Sequence, residues 1–200
     1  MKTFSEAIAL GRVSPAEALG IFDQLEIVAV EFMLGAWRGT GFPTGHPLDG
    51  VLEAYGWHGK RFDHADQVHP LVFTTPQGGT ISVNPVWALP LVGWLGRWPI
   101  SQLAALGPIF RSCLVLFSTR RSCARLRLTH YRGRASATMI YDSLPICDVF
   151  RTVDDQTVLG LMDLKGMDQP FFFVLRRQEE PAPRDRTDHP LDHPPPSFPT

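Results

Sequence analysis

Apolar residues follow two different rhythms along this chain. Near the N-terminus Ala18, Leu19, Ile21, Phe22 and Leu25 recur at three- and four-residue spacing, which marks one buried face of a helix. Ser14, Pro15 and Glu17 stand just ahead of that stripe. They predict a capped start, with Ser14 at the N-cap, Pro15 preset at the first helical position and Glu17 reaching back. This helix is expected to lie against the domain or to plug one end of it. From Phe32 the rhythm shortens. Glycines recur at 35, 39, 41, 45, 50, 56 and 59, and apolar residues come in short runs. The pattern predicts strands over 33–42, 56–62, 68–74 and 80–85, with one or two helical turns within 47–55.

The second half carries the clearest alternation. In ARLRLTHY (124–131), Arg125, Arg127 and Thr129 fall on one face and Leu126, Leu128 and His130 on the other. Arg132-Gly133 turns this run into 135–141, a hairpin. Strands over 146–153, 157–164 and 170–177 follow, each after a turn, as a meander. Eight to ten strands in all imply a mainly β fold, an antiparallel barrel of the size that just holds one small ligand.

Between the halves, residues 86–118 are irregular, with Trp87, Trp94 and Trp98 among Pro90, Pro99 and Pro108. Ser101 is an N-cap candidate for a helical turn over 103–106. The stretch reads as a helical and irregular insertion serving as a lid or cover for the barrel. After Arg177 seven prolines lie among charges, so 178–200 is expected to be a disordered tail. The chain therefore divides into a helical segment (1–31), one barrel domain (32–177) and the tail. Within the barrel domain, 32–85 and 119–177 flank the insertion.

Composition narrows the partners. The 200 residues are 44% hydrophobic and 20% charged, with a formal net charge of −1. That balance offers phosphate no positive excess, and nucleic acid is not expected. Cys113, Cys123 and Cys147 are odd in number and lack metal-ligand spacing, which suits a reducing compartment. The first residues lack the apolar core of a signal peptide. The most apolar segment, 86–98, is too short for a transmembrane helix and is broken by Pro90. A cytoplasmic protein is expected, and oligomerisation is left open.

Gly35-x-Trp37-x-Gly39 within LGAWRGTGF resembles the signature of the GXWXG domain family. TGHPLDG (44–50), GWHGKRF (56–62), VHPLVF (68–73) and VNP (83–85) continue the resemblance. The later motifs ATMIYDSLPICDVFR, LGLMDLKG and PFFFVLRR resemble the domain of unknown function that follows it in that family. No activity comes with this resemblance. The glycine–tryptophan strand is also similar to the opening of calycin barrels, and of nitrobindins in particular, which pair it with a strand like Trp57–Phe62. That similarity implies a calycin-like barrel in which Trp37 closes one end. It also implies a basic residue of the last strand, Arg176 or Arg177, over the Trp37 ring. Nitrobindins hold heme through a histidine on their last strand. PFFFVLRR has none, so no cofactor is expected and heme is disfavoured.

The chemistry implied is sparse. His58, Lys60, His64 and His69 form the densest polar cluster, but their spacing does not suit a metal site, and none is expected. Alternation along 157–165 groups Leu159, Leu161, Asp163 and Lys165. If that face lines the cavity, Asp163 becomes a carboxylate in an apolar setting. No nucleophile elbow, phosphate loop or dinucleotide fingerprint is present. The first expectation is binding of an apolar small molecule, a lipid, a terpenoid or similar. Its wall and polar contacts would come from Trp37, His58, His130, Met139, Tyr141, Met162, Phe172 and Arg176. The alternative is a cofactor-free isomerase, hydratase or cyclase using Asp142 or Asp163 with His58 or His69. Heme binding is the third reading.

Overall fold

The computed structural model describes residues 2–88, 111 and 114–179. Helical turn 103–106, most of the proposed lid and most of the tail lie outside these residues. Two helices open the chain, α1 (Phe4–Leu10) and α2 (Pro15–Gln24), and both begin with a full capping box. In the first, Thr3 and Glu6 satisfy each other's backbone N–H groups; in the second, Ser14 and Glu17 do so.

The strands are β1 (Glu26–Ile27), β2 (Gly35–Gly41), β3 (Trp57–His64), β4 (Gln67–Thr74), β5 (Thr80–Ser82), β6 (Ala124–Tyr131), β7 (Arg134–Tyr141), β8 (Ile146–Thr152), β9 (Thr157–Leu164) and β10 (Phe171–Arg177). A one-turn helix, α3 (Val51–Ala54), precedes β3. Eight of the ten strands close into an antiparallel barrel in the order β8-β7-β6-β4-β3-β2-β10-β9, and β9 pairs back onto β8. β5 lies outside the ring on β4, and β1 pairs with the end of β8. There the chain wedges between β7 and β8. Val28 donates its N–H to Ser136 Oγ (2.9 Å) and accepts from Ala137 N (2.8 Å), while the Ser136 hydroxyl donates to the Phe150 carbonyl (2.6 Å).

Alternation sorts the barrel's side chains into two apolar layers. Trp37, Phe62, Met139, Phe150, Phe171, Phe173 and Leu175 belong to the interior cluster. Leu159, Leu161, Phe172 and Val174 face outward and form a second cluster with Ala18, Ile21 and Phe22 of α2. The N-terminal helices thus cover the outside of β8, β9 and β10 and do not plug an end. This layer also buries Arg151, whose guanidinium lies 5.1 Å over the Phe22 ring and donates to the Tyr131 carbonyl (3.2 Å).

Two glycines show why the motif needs them. A Cβ at Gly59 would stand 1.9 Å from the Trp37 carbonyl oxygen, because β2 and β3 cross too closely for a side chain. A Cβ at Gly39 would stand 2.2 Å from the six-membered ring of Trp57, which packs against that bare backbone.

Candidate functional site

One end of the barrel is shut by a stack. Trp37 is fully buried and donates its indole N–H to the Met33 carbonyl (2.7 Å). The Arg177 guanidinium lies 4.3 Å over the Trp37 ring and 5.1 Å over Phe32. It also donates to the carbonyls of Leu34 (2.8 Å) and Phe32 (2.5 Å), holding the chain before β2 against the last strand. Above this plug, Phe62, Phe150 and Phe173 meet edge to face at 5.9 and 6.3 Å and fill the middle of the barrel.

Toward the other end the interior opens into a cavity of about 110 Å³. Its walls are mostly apolar and include Val51, Leu71, Ile146, Met162, Leu164 and Phe171. Its polar groups are Lys60, Tyr141 and Asp148, and Trp57, whose buried indole N–H has no hydrogen-bond partner among the described residues, also lines it. Lys60 Nζ stands 2.7 Å from Asp148 Oδ2, and both side chains are almost wholly buried. Nζ also donates to the Pro70 carbonyl (3.2 Å) and lies 4.9 Å from the centre of the Phe173 ring, with Trp57 and Tyr141 each at 5.8 Å. Burial pushes the Asp148 carboxyl above the ordinary carboxylate range, although the Lys60 ammonium pulls the other way. The Tyr141 hydroxyl is held well above its usual value, first by burial and then by the Asp148 charge.

The local sequence explains how two ionic groups come to face inward. In β8, Ile146, Asp148 and Phe150 alternate onto the interior face. In β3, simple alternation would put Trp57 and Lys60 on opposite faces. Register shifts in the β3–β4 ladder on both sides of Gly59 absorb the difference, and both side chains point in.

α3 and the loop before it also line the cavity, through Leu48, Val51 and Leu52. Asp49 Oδ2 accepts the N–H groups of Thr44 (3.0 Å), Gly45 (2.7 Å) and His46 (3.0 Å). His46 Nδ1 accepts from Leu48 N (3.0 Å), which puts the ring proton on Nε2. The ring lies 5.4 Å from that of Phe171, and burial holds its pKa below the usual histidine range, against the nearby Asp49 charge.

Comparison with known proteins agrees with this geometry. Residues 20–78 match the family model of the GXWXG protein, and 122–177 match that of the Domain of unknown function (DUF4334). A crystal structure of a protein from Thermomonospora curvata is 34% identical, with a TM-score of 0.64, over 88% of this chain and 95% of that one. The chain belongs to the GXWXG family. No curated protein matches it.

The family's motif residues thus build the sealed end and the β2–β3 crossing, while the cavity draws on both matched halves. Of the residues expected at a ligand, Tyr141 and Met162 line the cavity. Trp37 and Met139 are buried in the interior cluster away from its wall. Phe172 faces outward, 6.3 Å from both Phe22 and Phe42, because its neighbours Phe171 and Phe173 take the inward positions. Arg176 is exposed, and it is Arg177 that covers Trp37. His130 is exposed; His58 is half-buried between Gln178 Oε1 (2.8 Å) and Thr74 Oγ1 (3.3 Å). His69 is buried with Nε2 3.4 Å from Asp63, and its pKa is lowered first by burial and then by Arg61. Asp142 is exposed and faces Arg125 at 3.7 Å, and Asp163 is exposed beside the outward layer. The structure therefore does not bring Asp142 or Asp163 together with His58 or His69 around the cavity. Lys60 and Asp148 occupy the position that those carboxylates were expected to fill.

Among the described residues no three histidine, cysteine or acidic side chains gather as a metal site. The described cavity wall holds no histidine, and its volume is far below that of a porphyrin, so these residues do not fit an axially ligated heme. No helix among the described residues is long and apolar enough to cross a membrane.

Proposed function

We propose that this protein binds an apolar small molecule in the open end of a calycin-like barrel. The observation that carries the reading is a mostly apolar cavity with a few convergent polar groups at its base, the usual composition of a small-molecule site. Size narrows the ligand. A cavity of roughly 150 Å³ admits benzene, so about 110 Å³ takes a group slightly smaller than one six-membered ring. A branched five-carbon unit fits whole; a longer lipid or terpenoid would seat one end and leave through the mouth beside Leu48, Leu52 and Pro85. Native mass spectrometry of the purified protein, followed by solvent extraction, tests this. An apolar compound should co-purify with the native chain and be lost from Met162→Trp, whose larger ring fills the cavity. A native chain that carries nothing and takes up no apolar compound would defeat the reading.

One observation also favours a cofactor-free isomerase, hydratase or cyclase. A carboxyl whose pKa is raised by burial, set beside an apolar cavity, suits general acid–base work. Asp148 is then the acid or base. Turnover of the bound compound that stops in Asp148→Asn, in a variant that still binds it, is the expected result; release of the compound unchanged by the native protein contradicts it.

A further inference from the structure

The Lys60–Asp148 ion pair leaves the carboxylate short of hydrogen bonds. Oδ2 faces Nζ at 2.7 Å but lacks hydrogen-bond geometry, and Oδ1 is buried with neither a charge partner nor a hydrogen bond among the described residues. Buried polar atoms nearly always have a partner, and one that has none bears the full loss of its water. The charges in the cavity, by contrast, already balance. Nζ has the carboxylate, the Pro70 carbonyl and three aromatic faces around it.

We propose that the cavity selects a neutral apolar alcohol, whose hydroxyl donates to Asp148 Oδ1 while its hydrocarbon body lies against Ile146, Met162 and Leu164. The proposal rests on the ligand-binding reading above and adds the ligand's polar group. A carboxylate ligand would set a second negative charge beside Asp148. An ammonium ligand would set a second positive charge beside Lys60. Ketones, ethers and esters bring only acceptors, which leave Oδ1 as it is. A hydroxyl supplies the donor that Oδ1 lacks and, through its own oxygen, an acceptor of the kind the unpartnered Trp57 indole N–H lacks, without changing the charge balance.

The test compares two probes of equal size, cyclopentanol and cyclopentanone, titrated into the full-length protein at neutral pH by calorimetry. Cyclopentanol should bind about tenfold or more tightly than cyclopentanone, since a buried acceptor discriminates sharply against a ligand lacking the donor. The double variant Lys60→Met/Asp148→Leu, which replaces the pair by apolar groups of similar volume, should bind both probes equally. Equal binding by the native protein, a preference for the ketone, or a preference that survives in the double variant would overturn the alcohol assignment and leave the ligand-binding reading standing. Failure of both probes to bind the native protein would overturn the two together. Should the double variant not fold, the native ratio decides alone, with Asp148→Asn, whose single amide oxygen stays on Lys60 Nζ and which turns an NH2 donor to the place of Oδ1, expected to lose the preference for the alcohol.

Discussion

The guanidinium of Arg177 covers the indole of Trp37 at 4.3 Å and joins the last strand of the barrel to the first. The same guanidinium donates to two backbone carbonyls, at Leu34 and Phe32. Arg177→Met should therefore lower stability by about 2–4 kcal/mol, from the lost hydrogen bonds and the cation–π contact. Arg177→Lys should recover only part of this, because an ammonium cannot span both carbonyls and stack at once. Urea denaturation of the three proteins checks the order; a lysine variant as stable as the native chain would contradict it.

The close crossing of β2 and β3 predicts a steep response to single methyl groups. Gly59→Ala should cost roughly 3 kcal/mol or more or prevent folding, since its Cβ meets backbone that cannot yield. Gly39→Ala meets the Trp57 ring instead, a side chain beside the cavity. It should fold with a lowered Tm and should weaken ligand uptake as Trp57 is displaced. Thermal unfolding of both variants distinguishes the two cases, and two equally mild effects would refute the geometry.

A buried ion pair stabilises little in itself but punishes the loss of one member. Lys60→Met or Asp148→Leu alone should destabilise by about 3–5 kcal/mol, by leaving a charge unpaired in the apolar cavity. The double variant should return to within about 1 kcal/mol of the native protein or exceed it. A double-mutant cycle in urea measures this coupling; additive losses would mean that the two groups do not interact as described.

Stability should fall on mild acidification. His46 and His69 both have pKa values lowered by burial, so below the ordinary value of 6.5 the unfolded chain takes up protons that the folded chain refuses. Their contribution is complete above that pH and is lost as pH drops through it. His46→Asn keeps an acceptor for the Leu48 N–H but does not titrate. Its urea midpoint should change less between about pH 7.5 and about pH 5 than the native midpoint does. The remaining slope combines the loss at His69 with the opposing proton uptake at Asp148, whose pKa is raised by burial, and an unchanged slope would remove His46 from the account.

Most of the architecture was legible in the chain. The β6–β7 hairpin and the strands after it follow the alternation in ARLRLTHY and its successors, and the strands predicted in the first half form close to where they were expected. The capping box at Ser14 announced α2; the same signal at Thr3 and Glu6 marks α1, which is only seven residues long and carries no extended apolar stripe behind it. The site was harder to read. Ile146-x-Asp148-x-Phe150 puts a carboxylate in the middle of an apolar face, a signal that alternation alone could have exposed. Lys60 left no such trace, because the register shifts around Gly59 break the two-residue period that would have been used to find it. For β9 the period was right and the side was wrong. Leu159 and Leu161 turn outward because α2 covers the barrel there, a long-range packing choice that no local pattern contains.

The central claim, that the open end of the barrel takes an apolar ligand against Asp148, is tested most directly by methyl NMR of the methionines during titration with a small apolar alcohol. Met162 lines the cavity, and Met33 is buried beside the opposite, sealed end. The Met162 methyl signal should shift saturably while that of Met33 stays in place. No saturable shift at Met162, or equal shifts at both methionines, would contradict the account.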